Sequence, residues 1–223
     1  MVAQAAVRLA PDVWRIPAAS RDLINSFAFR DADGSVTLVD GGRKRSTRRI
    51  LAGLRSIGAA PSDVRRVVVT HAHTDNAGGL SRLVVATGAD VAAHEREAPY
   101  LRDGRTPRTR RGRTHKLRTV IAIEQFMDGS LLPVAGGLRV LHTPGHVSLL
   151  HQPTGVLIAG DVIFNVRGLR YPPKRWCTDP EVNRKSAALL GDLDFEVAAF
   201  AHGPEIRHQA REAVRAFLRG TGR

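Results

Sequence analysis

The stretch that most constrains this chain is Val67-Val68-Val69-Thr70 followed by His71-Ala72-His73-Thr74-Asp75-Asn76-Ala77-Gly78-Gly79-Leu80. A short apolar run of β-branched residues reads as a buried strand. At its end stand two imidazoles and a carboxylate. In extended backbone, side chains two apart point the same way, so His71 and His73 can converge on one ion while Asp75 arrives as the chain turns. A lone histidine is ordinarily a core or surface residue, and this chain has nine. His-x-His-x-Asp directly after a buried strand points instead to a metal site. Ala77 to Leu80 then starts a helix, with glycines where the backbone must turn tightly and pass close to the site.

Elsewhere the chain alternates strand and helix signals. Val13 to Ile16 and Ile24 to Phe29 read as strands, and the turn Asp31-Ala32-Asp33-Gly34 leads into the strand Val36 to Val39. Asp40-Gly41-Gly42 closes that strand, and Ser46 is placed to cap a helix whose apolar face is Ile50, Leu51, Leu54 and Ile57. A strand at Asp90 to Ala93 leads to His94-Glu95 and a further helix. Strands resume at Val120 to Gln125 and at Leu138 to Leu141. The latter delivers His142-Thr143-Pro144-Gly145-His146, whose Pro-Gly turn can hold His146 outside the sheet. Val156 to Ala159 ends at Gly160-Asp161, and Val197 to Ala201 ends at His202-Gly203-Pro204. A metal-competent residue thus recurs at the end of four strands, as a site assembled across a sheet edge requires. His142 reads as structural and His151 as an exposed hairpin residue. Asp179 as N-cap and Pro180 as first helical residue start a helix carrying Val182, Ala188, Leu189 and Leu193, and a helix at 208–219 follows.

At 223 residues, 43% hydrophobic and 25% charged, the chain has the size and composition of one soluble globular domain, 1–223. It shows no signal-peptide pattern and no membrane span, which makes the cytoplasm the expected location. The net charge of +13 raises nucleic acid or an anionic substrate as partner. Nearly all of the basic residues are arginine in an alanine-rich chain, however, a bias that genome composition alone can produce. The arginines concentrate at about 102–118, an Arg-rich loop or lid carrying Arg102, Arg105, Arg108, Arg110, Arg111, Arg113, Lys116 and Arg118. It is either solvated or gathers an anionic substrate, and it lacks the interleaved aromatics of a base-stacking platform. The single Cys177 excludes an internal disulfide and reads as structural.

Together THAHTDNAGGL, HTPGH, GDVIF and AHGPE resemble the metallo-β-lactamase-fold hydrolase superfamily, in the expected order from about Val13 to Pro204. The resemblance implies an α/β fold of αββα sandwich type, with two mixed β-sheets packed face to face between outer helices. By motif it assigns His71, His73 and His146 to a first metal, Asp75 and His202 to a second, and Asp161 to a bridge between them. Zinc is the expected ion, one or two per chain, with iron or manganese as alternatives. This chain departs at Asn76, where the family usually has a histidine. An amide oxygen is a poorer ligand for zinc or iron, so the second site is expected to be weak or empty.

A metal with an open position brings the pKa of bound water to roughly 7 and polarises a carbonyl or phosphoryl oxygen. Asp75, if the second site is empty, is free to act as general base. The loop at 168–175 is placed to overhang the pocket, with Arg170 or Tyr171 as substrate contacts. Three function classes follow. The first is a hydrolase (EC 3) acting on an ester, lactone or thioester of a small substrate, an anionic one included. The second is an oxidoreductase similar to mono-iron persulfide dioxygenases. The third, less favoured, is a nucleic-acid-binding or phosphodiester-cleaving protein. The motifs do not specify the substrate, and oligomeric state is not readable.

Overall fold

The computed structural model describes residues 5–109, 111–143 and 145–220. Seven strands form the first sheet in chain order: β1 (Val7–Ala10), β2 (Val13–Pro17), β3 (Asn25–Arg30), β4 (Val36–Val39), β5 (Val64–Val69), β6 (Asp90–His94) and β7 (Glu124–Phe126). Pairing is antiparallel through β4 and parallel from β4 to β7. The parallel half is made by crossover helices, α1 (Thr47–Ser56) between β4 and β5 and α2 (Leu80–Thr87) between β5 and β6, followed by α3 (Ala98–Asp103) before β7. A second mixed sheet contains β8 (Leu131–Leu132), β9 (Leu138–Thr143), β10 (His146–His151), β11 (Val156–Ile158) and β14 (Val197–Ala199), in the order β14-β11-β10-β9-β8. β12 (Phe164–Asn165) and β13 (Leu169–Arg170) form a small separate hairpin, while α4 (Pro180–Leu189) and α5 (Ala210–Leu218) pack behind the second sheet.

The period-two alternation of strands divides the interior into three layers. Phe27, Phe29 and Val68 point between the sheets, where they meet Val140, Leu149 and Ile158. Their neighbours Ala28, Val67 and Val69 point the other way, onto Ile50 and Leu54 of α1 and Leu80 and Leu83 of α2. Leu157 and Ala198 of the second sheet face Ala187, Leu190 and Val214. Helix, sheet, sheet, helix is the αββα sandwich.

Several local expectations change. Ser46 occupies the N-cap position of α1 without capping it: its Oγ donates to Ala18 O at 2.8 Å and accepts from Arg43 N at 3.0 Å. Asp179 does cap α4, its Oδ1 accepting from the Glu181 and Val182 amides. The buried face of α4 is Asn183, Ser186 and Ala187, however, and Leu189 is exposed. The strand expected at Val120 to Gln125 is only Glu124–Phe126. Ahead of it the carbonyls of Ile121 and Ile123 accept from the Arg102 guanidinium instead of a neighbouring strand. His151 is 2% exposed, against the expectation of a surface residue. Its ring lies against Phe29, with Nδ1 at 2.7 Å from Thr154 Oγ1 and Nε2 at 2.8 Å from Ala135 O.

A buried polar knot ties the first sheet to the segment after β14. Arg15, 4% exposed, donates to Glu205 Oε2 and Asp22 Oδ1 at 2.7 Å each and to Asn25 Oδ1 at 3.1 Å. Asn25 Nδ2 donates on to the carbonyls of Phe200 and Gly203. Burial opposes ionisation of Glu205, but a hydrogen bond from its own backbone and the Arg15 guanidinium hold its pKa below the usual value of 4.5. Its contribution to stability is therefore full above that value and is lost as pH falls through the lower folded value. Glu205→Gln should cost about 2 kcal/mol at neutral pH and flatten the acid side of the stability curve. Urea unfolding followed from pH 7 to pH 3.5 checks this; an acid limb parallel to the parent's would be the contrary result.

Candidate functional site

β5 and β6 of the first sheet and β11 and β14 of the second end at one common edge, and the β9–β10 turn lies there too. His71 and His73 leave β5, Asp161 follows β11 and His202 follows β14. His146 differs from expectation in being the first residue of β10, paired with Thr143, rather than standing outside the sheet. Pro144 of that turn lies outside the described residues.

The side chains converge. One ligand-type atom from each of His71, His73, His146 and Asp161 lies within 4.8 Å of all the others. Ring centroids are 4.5 Å apart for His71–His73 and for His71–His146, and 5.8 Å apart for His73–His146. Asp161 turns one oxygen to each side: Oδ2 is 3.5 Å from His71 Nε2, and Oδ1 is 3.4 Å from His202 Nε2. His202 Nε2 is also 3.7 Å from Asp75 Oδ2. All six charged or imidazole residues of the sequence-derived set are thus brought together, in two groups sharing Asp161.

The outer partners aim the imidazoles. His202 Nδ1 lies 2.6 Å from Leu23 O, a pure acceptor, so Nδ1 carries a proton and Nε2 is the nitrogen that faces the cluster. His71 Nδ1 is 3.1 Å from Thr70 Oγ1, and that hydroxyl already donates to Asp40 Oδ2 at 2.7 Å. A hydroxyl has one proton, so His71 Nδ1 must donate, and its Nε2 also faces the cluster. His71 Nε2, His146 Nδ1, Asp161 Oδ1 and His202 Nε2 are all buried without a hydrogen-bond partner. Orphaned ligand-type atoms on both sides of Asp161 fit bound divalent metal, which would take up His71 and Asp161 in the four-residue group and His202 in the other once the imidazoles give up a proton.

Electrostatics agree. Burial disfavours the charged form of His71, but Asp161 beside it pushes the pKa up to about 9. His202 is likewise pushed up to about 9 against burial by Asp161. Burial, reinforced by the charge on His71, takes His73 down to about 3 and His146 well below its ordinary value. Burial works against the Asp161 carboxylate, but His202 and His71 hold it well below the usual carboxylate range. Two protons beside one carboxylate occupy the place a dication would take.

Sequence reasoning missed the supports. By sequence Asp40 reads only as the end of a strand. It is fully buried with φ of 63°, a left-handed conformation uncommon outside glycine, and burial raises its pKa. Its carboxyl accepts from Thr70 N (2.8 Å), Thr70 Oγ1 and Asn76 Nδ2 (2.9 Å). Asn76 thereby spends its amide nitrogen on Asp40 and leaves Oδ1 buried and unpartnered. Glu97, after β6, accepts from Ala72 N between the two histidines at 2.9 Å. The loops also cross closely: Gly41 N donates to Asn76 O and Gly79 N to Gly42 O, and a Cβ on Gly79 would lie 2.3 Å from Gly41 O. That is the close backbone approach the glycines foretold.

The cluster opens into a cleft of about 240 Å³ whose walls include Arg43, Asp75, Thr106, Thr109, His115, Phe164, Pro172, Trp176 and Cys177. From the segment at 102–118, Thr106, Thr109 and His115 line the cleft. Arg170 and Tyr171 do not reach it: Arg170 is exposed outside the cleft lining, and Tyr171 packs on Phe217 at 4.8 Å, with Arg184 over its ring. Cys177 borders the cleft, but burial lifts its thiol to about 11.

A family model described as the metallo-beta-lactamase superfamily matches residues 19–214. The chain belongs to that superfamily. The probable metallo-hydrolase YybB of Bacillus subtilis is 24% identical over 186 residues, covering 82% of each chain. Metallo-beta-lactamase domain-containing protein 1 of Xenopus laevis is 31% identical over 195 residues, 79% of this chain and 73% of that one. In fold, the chain is similar to the metallo-beta-lactamase SMB-1, with a TM-score of 0.76 at 21% identity, covering 98% of this chain and 94% of that one. The Rm3 metallo-beta-lactamase gives 0.77 at 22%, covering 98% and 92%. Among the described residues no helix is long and apolar enough to cross a membrane.

Two outcomes follow for this metallo-hydrolase scaffold. Asp40→Ala, which strands three buried donors, should lower stability by about 3 kcal/mol and weaken metal affinity by about 10–100-fold, read by urea unfolding and chelator competition. Cys177 should resist iodoacetamide at pH 8 in the native state and react at once in urea, since its thiolate fraction when folded is roughly one in a thousand.

Proposed function

We propose that the protein is a zinc-dependent hydrolase of a carboxylic ester, lactone or thioester of a small substrate. The observation that carries this reading is the converging group His71, His73, His146 and Asp161, with buried unpartnered ligand-type atoms on three of them, which opens through His73, His146 and Asp161 into a cleft. His71, His73 and His146 are assigned to the first ion, Asp75 and His202 to a second, and Asp161 to the bridge. The nitrogen-rich, sulfur-free donor set suits zinc. An ion held there supplies Lewis acidity, acidifying water and polarising a carbonyl oxygen.

The remaining chemistry belongs to the chain. Asn76 cannot offer an imidazole, so the second group of ligands is the weaker one. Asp75, partly buried and lining the cleft, is then available to orient the attacking water and accept its proton. Phe164, Pro172 and Trp176 form an apolar wall that holds the acyl part and keeps bulk water from the reacting carbonyl.

Zinc-loaded protein assayed on neutral esters, lactones and thioesters tests the reading. Turnover on at least one class, abolished by chelation, is expected. Iron content with oxygen uptake on a persulfide, and no hydrolysis, would replace it with the dioxygenase reading. Asp75→Asn should reduce kcat by about 10²–10⁴-fold while the first ion is retained. An unchanged kcat with lowered metal content would make Asp75 a ligand and nothing more.

A further inference from the structure

A second cavity of about 290 Å³ adjoins the cleft, lined by Thr109, Arg111, Arg113, His115, Arg175 and Trp176. The two share Thr109, His115 and Trp176. Each is below the roughly 300–1,000 Å³ typical of a small-molecule site, whereas the pair falls within it. A substrate reacting at the metal cluster thus has a continuous path into an arginine-lined extension.

That extension is assembled from two separate segments. In the first, Gly112 N donates to Thr109 O and Thr109 N to Arg113 O. Arg175 and Trp176 arrive from the loop after β13, which is fastened to the first segment by Thr178 Oγ1 on Arg108 O at 2.9 Å. The Arg175 guanidinium lies over the Trp176 ring at 5.1 Å. Among the described residues, no carboxylate lines the cavity. Among the described residues, none makes an ion pair with Arg111, Arg113 or Arg175, nor with Arg43 at the mouth of the cleft. Three guanidiniums gathered in one concavity repel one another unless an anion lies between them. A phosphate, with several acceptor oxygens and up to two charges, matches such a set better than a single carboxylate.

We propose that this cavity is the recognition subsite for a phosphate group on the substrate, so that the ester or thioester is carried on a small phosphorylated moiety reaching from the metal cluster to Arg111, Arg113 and Arg175. The proposal rests on the hydrolase reading and names its substrate class. Because the arginines are exposed, their effect lies in capture and positioning rather than in the chemical step, and it weakens with salt.

The test uses the zinc-loaded protein and a matched pair, S-acetylpantetheine and its 4′-phosphate, which differ only in the phosphate. The ratio of their kcat/KM values should favour the phosphorylated thioester by at least about tenfold and collapse in Arg111→Ala/Arg113→Ala/Arg175→Ala, chiefly through KM. Phenyl phosphate binding, measured by titration calorimetry, should weaken about tenfold in the same variant, whose melting curve reports its folding. Equal use of the two thioesters by the parent, or phenyl phosphate binding that survives the triple substitution, would overturn the subsite. Arginine-dependent phenyl phosphate binding with neither thioester cleaved would uphold the subsite and count against the hydrolase reading. Tighter, steeply salt-dependent and arginine-dependent binding of a short single-stranded oligonucleotide would reassign the cavity to nucleic acid.

Discussion

The site hangs on one buried carboxyl. Asp40 closes β4 in a left-handed conformation and takes three hydrogen bonds from the loop that follows β5, two from Thr70 and one from Asn76. Through the Thr70 hydroxyl it sets the tautomer of His71, and through Asn76 it fixes the far end of the same loop. An unpartnered buried carboxyl and three stranded donors would each be costly, so the arrangement is all or nothing. Neighbouring strands of the parallel half-sheet hold this crossing in register: Val39 pairs with Val68 and Asp40 N donates to Val68 O.

From that crossing the rest of the cluster follows by topology. The crossover helices bring successive strand ends to one edge, and packing the second sheet face to face places Asp161, His202 and His146 opposite His71 and His73. Each added residue arrives at or just past a strand, and two outer hydrogen bonds steady the cluster: Leu23 O on His202, and Glu97 on the backbone between His71 and His73. The polar knot around Arg15 keeps the two halves together at the His202 side. Rigid strand ends supported by outer hydrogen bonds give the precision a metal centre needs.

Much of this was legible in the sequence because the signals were local or repeated. His71 and His73 stand two apart after a β-branched run, and Asp161 and His202 each end an apolar stretch, so periodicity located them. The resemblance of the motifs supplied the sandwich, which no single pattern could. Asp40 was invisible because its role depends on a partner thirty residues away, and a lone Asp before two glycines looks like any turn. His151 was misjudged because its burial comes from Phe29 and Ala135, which are distant in sequence. Arg170 and Tyr171 failed for a related reason: proximity in sequence to Asp161 gave the loop but not the direction of its side chains, and it is Trp176 and Cys177 that border the cleft. The run of arginines at 102–118 is visible in the sequence, yet only the fold shows that Arg175, from another segment, joins Arg111 and Arg113.

The proposed centre has one strong metal position formed by His71, His73 and His146, with a weaker neighbour at Asp75 and His202 because Asn76 offers an amide oxygen in place of an imidazole. Metal content by mass spectrometry, on protein purified without added metal and dialysed, tests it most directly, with His146→Ala alongside. The account predicts about one divalent ion per chain, lost in the variant. About two ions held equally tightly would contradict the weakened second position, and no retained metal after reloading would contradict the centre altogether.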